Sequence, residues 1–306
     1  MSLKIVFMGT PEFSVPTLEA LINNKFEILT IYTQPQKKSK RGQKINVSSV
    51  QKFSEENNLP VRNPENLNNE EEYNFIKSLS ADISVVAAYG KLIPKNILKT
   101  TKLGFINIHA SLLPKWRGAA PIQRAIMNGD KKTGVSIMKI EEKLDCGPIM
   151  ALSEIELDTS STYGETEKKL SKIGASLLIE SLKKIERGVS QFVKQVDSEA
   201  TYAKKIKKEE AKINWHSSAD KVIAKIHGLN PNPGAWFEFG KERIKVWKAK
   251  KSLTNGRPGT VLEENLTVAC KSNSIQILEI QREGKNKQLA QNFLLGKKIS
   301  KNSLLT

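Results

Sequence analysis

The sequence predicts an α/β fold: an open, mostly parallel sheet over the first part of the chain, followed by a small β-barrel. Three observations predict it. Apolar runs of strand length alternate with amphipathic segments of helical period over about the first 190 residues. The runs "DISVVAAY" (82–89) and "GFINIH" (104–109) are apolar almost throughout, as strands buried on both faces are. Beyond residue 215 the pattern changes to short strands separated by Gly, Asn and Lys turns.

The elements follow in order. "LKIVFM" (3–8) is the first strand. "VPTLEALINN" carries Val15, Leu18, Leu21 and Ile22 at helical spacing, with Ser14 placed as N-cap and Pro16 in the first turn. "FEILTIYT" (26–33) closes a strand–helix–strand unit, which requires a parallel pair with a right-handed crossover. Residues 47–57 read as helix, and the two apolar strands come next. "PIQRAIMNG" (121–129) is a helix that stops at Gly129. "TGVSIMKI" (133–140) and "IMALSEIEL" (149–157) are strands around a Gly-Pro turn, and 162–188 is a long amphipathic helix ended by Gly188. Residues 189–215 are polar and Lys-rich. "SSADKVIAKIHGLN" is one helix, and "GAWFEF", "ERIKVWKAK", "GTVLEE", "LTVAC" and "SIQILEIQ" are the short strands of the barrel. Trp215, Trp236 and Trp247 are assigned to its core, and His216 and His227 to structural or surface roles.

Composition narrows the class. The chain has 306 residues, long enough for a full core, and 39% of them are apolar. It contains no apolar run of membrane-spanning length. Its start reads as a strand and not as a signal peptide. Two distant cysteines, Cys146 and Cys270, and three histidines without metal-ligand spacing argue against a disulfide framework or a metal site, so a reduced cytoplasmic protein is expected. The net charge of +17 is unevenly spread. Residues 1–200 hold 28 Lys/Arg against 23 Asp/Glu, and residues 201–306 hold 21 against 9. A basic final third points to a polyanionic partner.

Neither GxGxxG, GxxxxGK[ST] nor GxSxG is present, so dinucleotide, P-loop and serine-hydrolase readings fall away. What remains is "NIHASLLPKWRGAAPI" (107–122). Residues two apart share a face of a strand, so Asn107 and His109 point the same way at the carboxyl end of a strand. Ligands bind at that end of open α/β sheets. An amide and an imidazole there can donate to one oxygen, or divide orientation from proton transfer. Asp145, in the turn "LDCGP", is the best-placed carboxylate to tune the imidazole.

"FMGTPEFSVPTLEAL", "VVAAYGKLIP", "NIHASLLPKWRGAAPIQRAI" and "GVSIMKIEEKLDCGPI" resemble the folate-dependent formyltransferases. "TYAKKIKKEEAKINW" and "NPNPGAWFEF" extend the resemblance over nearly the whole chain, toward the members that act on charged tRNA. The resemblance implies a Rossmann-like catalytic domain (1–188), a linker (189–206) and an OB-like barrel that binds tRNA (207–306). It implies formyl transfer from 10-formyltetrahydrofolate to the α-amine of methionyl initiator tRNA. The family's catalytic Asn, His and Asp match Asn107, His109 and Asp145, and its folate-contacting segment matches Ser111, Leu112, Leu113 and Pro114. No metal is implied, and a monomer is expected.

The chemistry agrees: an amine attacking a formyl carbon creates an oxyanion that Asn107 and His109 can meet, and Asp145 can hold His109 in a useful state or take a proton through water. Cys146 follows Asp145, but formyl transfer needs no thiol. For tRNA, the resemblance points to the loop "QPQKKSKRGQK" (34–44), with Lys37, Lys38, Lys40, Arg41 and Lys44. Its Arg41-Gly42 pair fits the family, whereas "KKSK" replaces the usual Pro- and Gly-bearing approach and "VSSVQ" replaces Pro-Ser-Pro-Val-Lys. Lys205, Lys207 and Lys208, with Lys204, are further phosphate contacts expected on the basic final third. A folate-dependent transferase acting on a small amine, such as glycinamide ribonucleotide or an amino sugar nucleotide, is the alternative. It leaves the basic second domain without a task. An RNA-binding protein on an inactive scaffold would not need the intact Asn, His and Asp.

Overall fold

A computed structural model describes residues 2–38, 45–240, 242–296 and 299–306, with the backbone alone at 37, 38, 45 and 46. The elements in chain order are β1 (Lys4–Gly9), α1 (Val15–Asn23), β2 (Glu27–Tyr32), β3 (Lys37–Lys38), β4 (Ile45–Asn46), α2 (Ser49–Glu56), β5 (Val61–Arg62), α3 (Glu70–Ser78), β6 (Ile83–Ala87), β7 (Phe105–His109) and β8 (Arg117–Gly118). They continue with α4 (Pro121–Asn128), β9 (Lys132–Lys139), β10 (Ile149–Glu156), α5 (Tyr163–Glu186), β11 (Tyr202–Ala203), α6 (Ala219–Gly228) and β12 (Ala235–Phe239). The last are β13 (Glu242–Ser252), β14 (Val261–Glu263), β15 (Thr267–Ala269), β16 (Ser274–Arg282), β17 (Gln288–Leu289) and α7 (Ala290–Gly296). Two compact units form. Met1–Ala119, Gly134–Ile155 and Glu167–Ala203 make the first; Ala120–Thr133, Glu156–Thr166 and Lys204–Thr306 make the second.

The sheet of the first unit has the order β10-β9-β7-β6-β1-β2-β5. The pairs β1–β2, β1–β6, β2–β5 and β6–β7 are parallel, and β7–β9 is antiparallel. Ile5, Val6, Phe7 and Met8 are all fully buried, which explains why the first strand reads as an unbroken apolar run. On one face Val6, Met8, Val86 and Phe105 share a core with Ile76 of α3, against which Tyr73, Phe75 and Leu79 pack. The order reverses between β1 and β6, so a crevice opens at their carboxyl ends.

Ser14 does not cap α1 as the sequence suggests. It lies in helical backbone, at φ −83° and ψ −22°, and its side chain makes no cap bond. Its hydroxyl is fully buried and donates instead to the Ala87 carbonyl at 2.6 Å, joining the loop after β1 to the end of β6. Burial decides the matter: the hydroxyl meets the Ala87 carbonyl at the sheet end, and Pro16, the second residue of the helix, has no N–H for a cap to accept. Elsewhere the local signals act as expected. The Ser48 oxygen accepts from the Gln51 amide at the start of α2, and Gly129 ends α4 in left-handed backbone at φ 78°.

In the second unit the sheet order is β12-β13-β16-β15-β14, with β17 beside β16, and the pairings are antiparallel. The last four residues join its two edges. The Val261 amide donates to the Ser303 carbonyl at 2.9 Å and the Leu305 amide to Gly259 at 2.8 Å, on the β14 side. Glu238 of β12 and Thr306 exchange bonds of 2.6 and 2.9 Å on the other. This tail bridges the two edge strands of the sheet. Trp215, Trp236, Phe237, Ile226, Val246, Ile277, Phe293 and Leu305 lie in the core inside it. Trp215 and Phe237 meet with centroids 5.9 Å apart and planes tilted by 59°. Trp247 is buried as well, so the three tryptophans are packing residues and not base-stacking platforms. His227 is buried against the Thr159 carbonyl, and burial pushes its pKa down, whereas His216 is exposed.

Candidate active site

β7 delivers Asn107 and His109 to one face at the carboxyl end of the parallel sheet, where Met138 and Ser136 of β9 stand opposite them. His109 is buried, with its side chain 6% exposed. Its Nε2 lies 2.9 Å from the Trp116 carbonyl. A carbonyl only accepts, so Nε2 carries a proton and donates. Nδ1 faces Asp145, whose Oδ2 is 3.6 Å away, too long for a hydrogen bond.

Asp145 sits in the turn between β9 and β10 in left-handed backbone, φ 48°, a conformation that Asp tolerates better than most residues. Its Oδ2 also accepts the Gly118 amide at 2.9 Å. Both contacts use the same oxygen, which leaves Oδ1 free of protein partners among the described residues. Asn107 is half-buried, and its amide likewise makes no hydrogen bond among the described residues. The three expected residues are thus brought together, but their states differ. Nε2 of His109 is engaged by the Trp116 carbonyl, whereas the Asn107 amide has no partner among the described residues.

The loop after β7 is tied to β9 by two serines. Ser111 is fully buried and donates to the Lys115 carbonyl at 2.6 Å. Ser136 donates to the Ser111 carbonyl at 2.5 Å and accepts the Leu113 amide at 3.0 Å. Leu113 is buried, whereas Leu112 and Pro114 are partly exposed. Within the segment 111–114 the Ser111 hydroxyl and the Leu113 amide fix the backbone, and the Leu112 side chain lies against Gly134 of β9.

Sequence reading missed Arg117, Gln195 and Asp197. Arg117 is buried, donates through Nε to Gln195 Oε1 at 3.0 Å and pairs with Asp197 at 2.8 Å. Gln195 in turn donates to the Asp145 and Gly147 carbonyls. The backbone of 117–118 pairs in parallel with Tyr202–Ala203. Nothing in local spacing announces contacts between residues this far apart in sequence. Cys146 is half-buried, and burial followed by the Glu141 charge pushes its thiol pKa up, which is the wrong direction for a nucleophile.

In the second unit Lys204, Lys205, Lys207 and Lys208 are exposed and form no ion pair among the described residues. Their backbone is held from α4. Arg124 donates to the Lys204 carbonyl at 3.0 Å and grips Glu210 with two bonds of 2.8 and 3.1 Å. The Arg124 hydrogen bonds pull the Glu210 carboxyl below its ordinary range. Lys40, Arg41, Lys44 and the side chains of Lys37 and Lys38 lie outside the described residues.

An amide, an imidazole and a carboxylate gather at the carboxyl end of a parallel sheet, and this chain belongs to the formyl transferase family. The family model "Formyl transferase" matches residues 3–182, and "Formyl transferase, C-terminal domain" matches residues 205–298. The particular relatives are methionyl-tRNA formyltransferases. The one from Pelagibacter ubique (strain HTCC1062) is 48% identical over 308 residues, covering 100% of this chain and 99% of its own. The one from Chelativorans sp. (strain BNC1) is 44% identical over 311 residues, covering 100% of both. Among solved structures, the N-formyltransferase from Helicobacter canadensis with folinic acid and dTDP-3-aminofucose has a TM-score of 0.69 at 17% identity. It covers 92% of this chain and 100% of its own. Aquifex aeolicus HypX in complex with tetrahydrofolic acid has a TM-score of 0.68 at 16% identity, over 96% of this chain and 47% of its own. The last two share the fold. The chain is a formyl-transferring enzyme.

Proposed function

We propose that this chain transfers the formyl group of 10-formyltetrahydrofolate to the α-amino group of methionyl initiator tRNA, giving N-formylmethionyl-tRNA for translation initiation in the cytoplasm. The observation that carries the reading is identity of 44–48% to methionyl-tRNA formyltransferases over their full length. The site fits a formyl donor. Asn107 offers an amide N–H with no partner among the described residues where a carbonyl oxygen gains charge, a contact typically worth about 3–4 kcal/mol in the transition state. Leu112 and Pro114 supply the apolar contacts for the folate, on a backbone fixed by Ser111, Leu113 and Ser136. The amine must shed a proton as it attacks. Oδ1 of Asp145, without a partner among the described residues, receives it directly or through water, and the proton passes on to the folate nitrogen as its bond to the formyl carbon breaks and tetrahydrofolate leaves, while Oδ2 faces His109.

The acceptor reading rests further on the charge of the second unit. Lys205, Lys207 and Lys208 stand on a segment pinned by Arg124, so the cations are presented without ion pairs among the described residues, as phosphate contacts need. Lys37, Lys38, Lys40, Arg41 and Lys44 complete the proposed tRNA contacts. Each neutralised phosphate contributes about 0.7–0.9 to the slope of log K against log salt. Changing Lys205, Lys207 and Lys208 together to Glu is expected to weaken tRNA binding and flatten that slope by about 2, as measured by filter binding across a salt series. An unchanged slope would remove these lysines from the interface. The working form is a monomer, which sedimentation tests directly at 34.2 kDa. The reaction is tested by incubating the protein with 10-formyltetrahydrofolate and methionine-charged initiator tRNA and analysing the released amino acid. N-formylmethionine is expected; free methionine alone would refute the reading.

A further inference from the structure

The backbone of the turn that carries Asp145 is held by the side chain of Gln195. Gln195 Nε2 donates to the carbonyls of both Asp145 (2.9 Å) and Gly147 (2.7 Å). Its Oε1 is occupied by Nε of the buried Arg117 at 3.0 Å, so the orientation of the amide is fixed and both N–H groups face the turn. Arg117 sits between two residues that each touch the site. The Trp116 carbonyl takes the proton of His109 Nε2, and the Gly118 amide donates to Asp145 Oδ2. Gln195 is itself anchored on both sides. Val193 exchanges two 2.8 Å backbone bonds with Ile149 at the start of β10, and the Thr201 carbonyl accepts the Arg117 amide at 2.9 Å. Asp145 occupies left-handed backbone, a state that an L-residue keeps only where its surroundings hold it there.

We propose that Gln195, oriented by Arg117, is a positioning residue for formyl transfer, holding the Asp145 turn so that the carboxylate stays registered against His109. The proposal rests on the catalytic role given to Asp145 above. Gln195 touches no substrate on this account. It acts only through Asp145, so its loss affects the chemical step and not the binding of folate or tRNA.

Gln195→Leu keeps the volume and removes the amide. It is expected to lower kcat by about 10- to 100-fold, the size of effect that a displacement of about 1 Å produces, with both KM values within about threefold of wild type. Gln195→Glu can still accept from Arg117 but cannot donate to the two carbonyls, so it should be at least as impaired. In an Asp145→Ala background, Gln195→Leu should add no further loss, because groups acting as one unit are not additive. Thermal unfolding of each variant shows whether it is folded. Wild-type kcat in Gln195→Leu, retained activity in Gln195→Glu, or an additive loss on Asp145→Ala would overturn the proposal. If Asp145→Ala itself turned over normally, the catalytic reading of Asp145 would fall instead, so the two failures are distinguishable.

Discussion

Asp145→Asn is expected to lower kcat for formyl transfer by about 10³-fold or more, the scale seen when the carboxylate orienting a catalytic imidazole is neutralised. The substitution is chosen because it keeps the shape. An amide oxygen can still accept the Gly118 N–H that Oδ2 accepts now, so the turn stays in place and the melting temperature should move by no more than a few degrees. What disappears is the negative charge facing Nδ1 of His109 at 3.6 Å, together with the carboxylate oxygen proposed to take the amine proton. His109→Ala should fall into the same range, and Asn107→Ala should lose about 10²–10³-fold, the effect of removing one oxyanion donor. Stopped reactions with labelled formyl donor and saturating acceptor measure all three. Turnover in Asp145→Asn within tenfold of wild type would show that the charge is not needed and would leave Asp145 a purely structural part of the turn.

The second large effect is expected of Gly147→Ala. A Cβ added at Gly147 would stand 2.0 Å from the Lys139 carbonyl oxygen and 2.9 Å from its carbon. Both are backbone atoms at the end of β9, held there by the bond from the Lys139 amide to the Pro148 carbonyl at 2.9 Å, so neither can step aside as a flexible side chain would. The hairpin must open. The cost of forced overpacking is about 1–3 kcal/mol, which in a chain of this size lowers the melting temperature by several degrees. The same movement pulls the Gly147 and Asp145 carbonyls away from Gln195, so the loss of kcat should at least equal that of Gln195→Leu. Differential scanning calorimetry and steady-state kinetics on one preparation read both effects. A variant with wild-type stability and turnover would mean that the hairpin is softer than its bonding suggests.

The layout of the fold was legible wherever burial wrote a period into the residues. The strands β1, β6 and β7 are apolar because both faces are covered, and α1, α4 and α5 keep their stripe at helical spacing. Asn107 and His109 could be placed on one face from the two-residue period of a strand alone. Two kinds of feature left no such trace. α3 is capped by Asn69 and starts with Glu70, Glu71 and Glu72, so its polar opening turn hides the few residues that reach the core. The bridging of the two edge strands by Ser303–Thr306, the move of the Ser14 hydroxyl to Ala87 and the Arg117–Gln195 clamp all depend on partners many residues away. Local pattern carries no record of a contact that exists only after the chain has folded. The bond between His109 Nε2 and the Trp116 carbonyl is of this kind too, and it leaves Asn107 as the donor proposed to meet the oxyanion.

The measurement that tests the account most directly is a competition. Wild-type protein is given 10-formyltetrahydrofolate with methionine-charged initiator tRNA, methionine-charged elongator tRNA and glycinamide ribonucleotide together, and kcat/KM is taken for each from the formylated products. The account predicts transfer dominated by the initiator, by about 10²-fold or more over the small amine, since the basic second unit offers binding energy only to a polyanion. Equal or faster formylation of glycinamide ribonucleotide would contradict it, leaving the formyl-transfer site intact and removing tRNA as the acceptor.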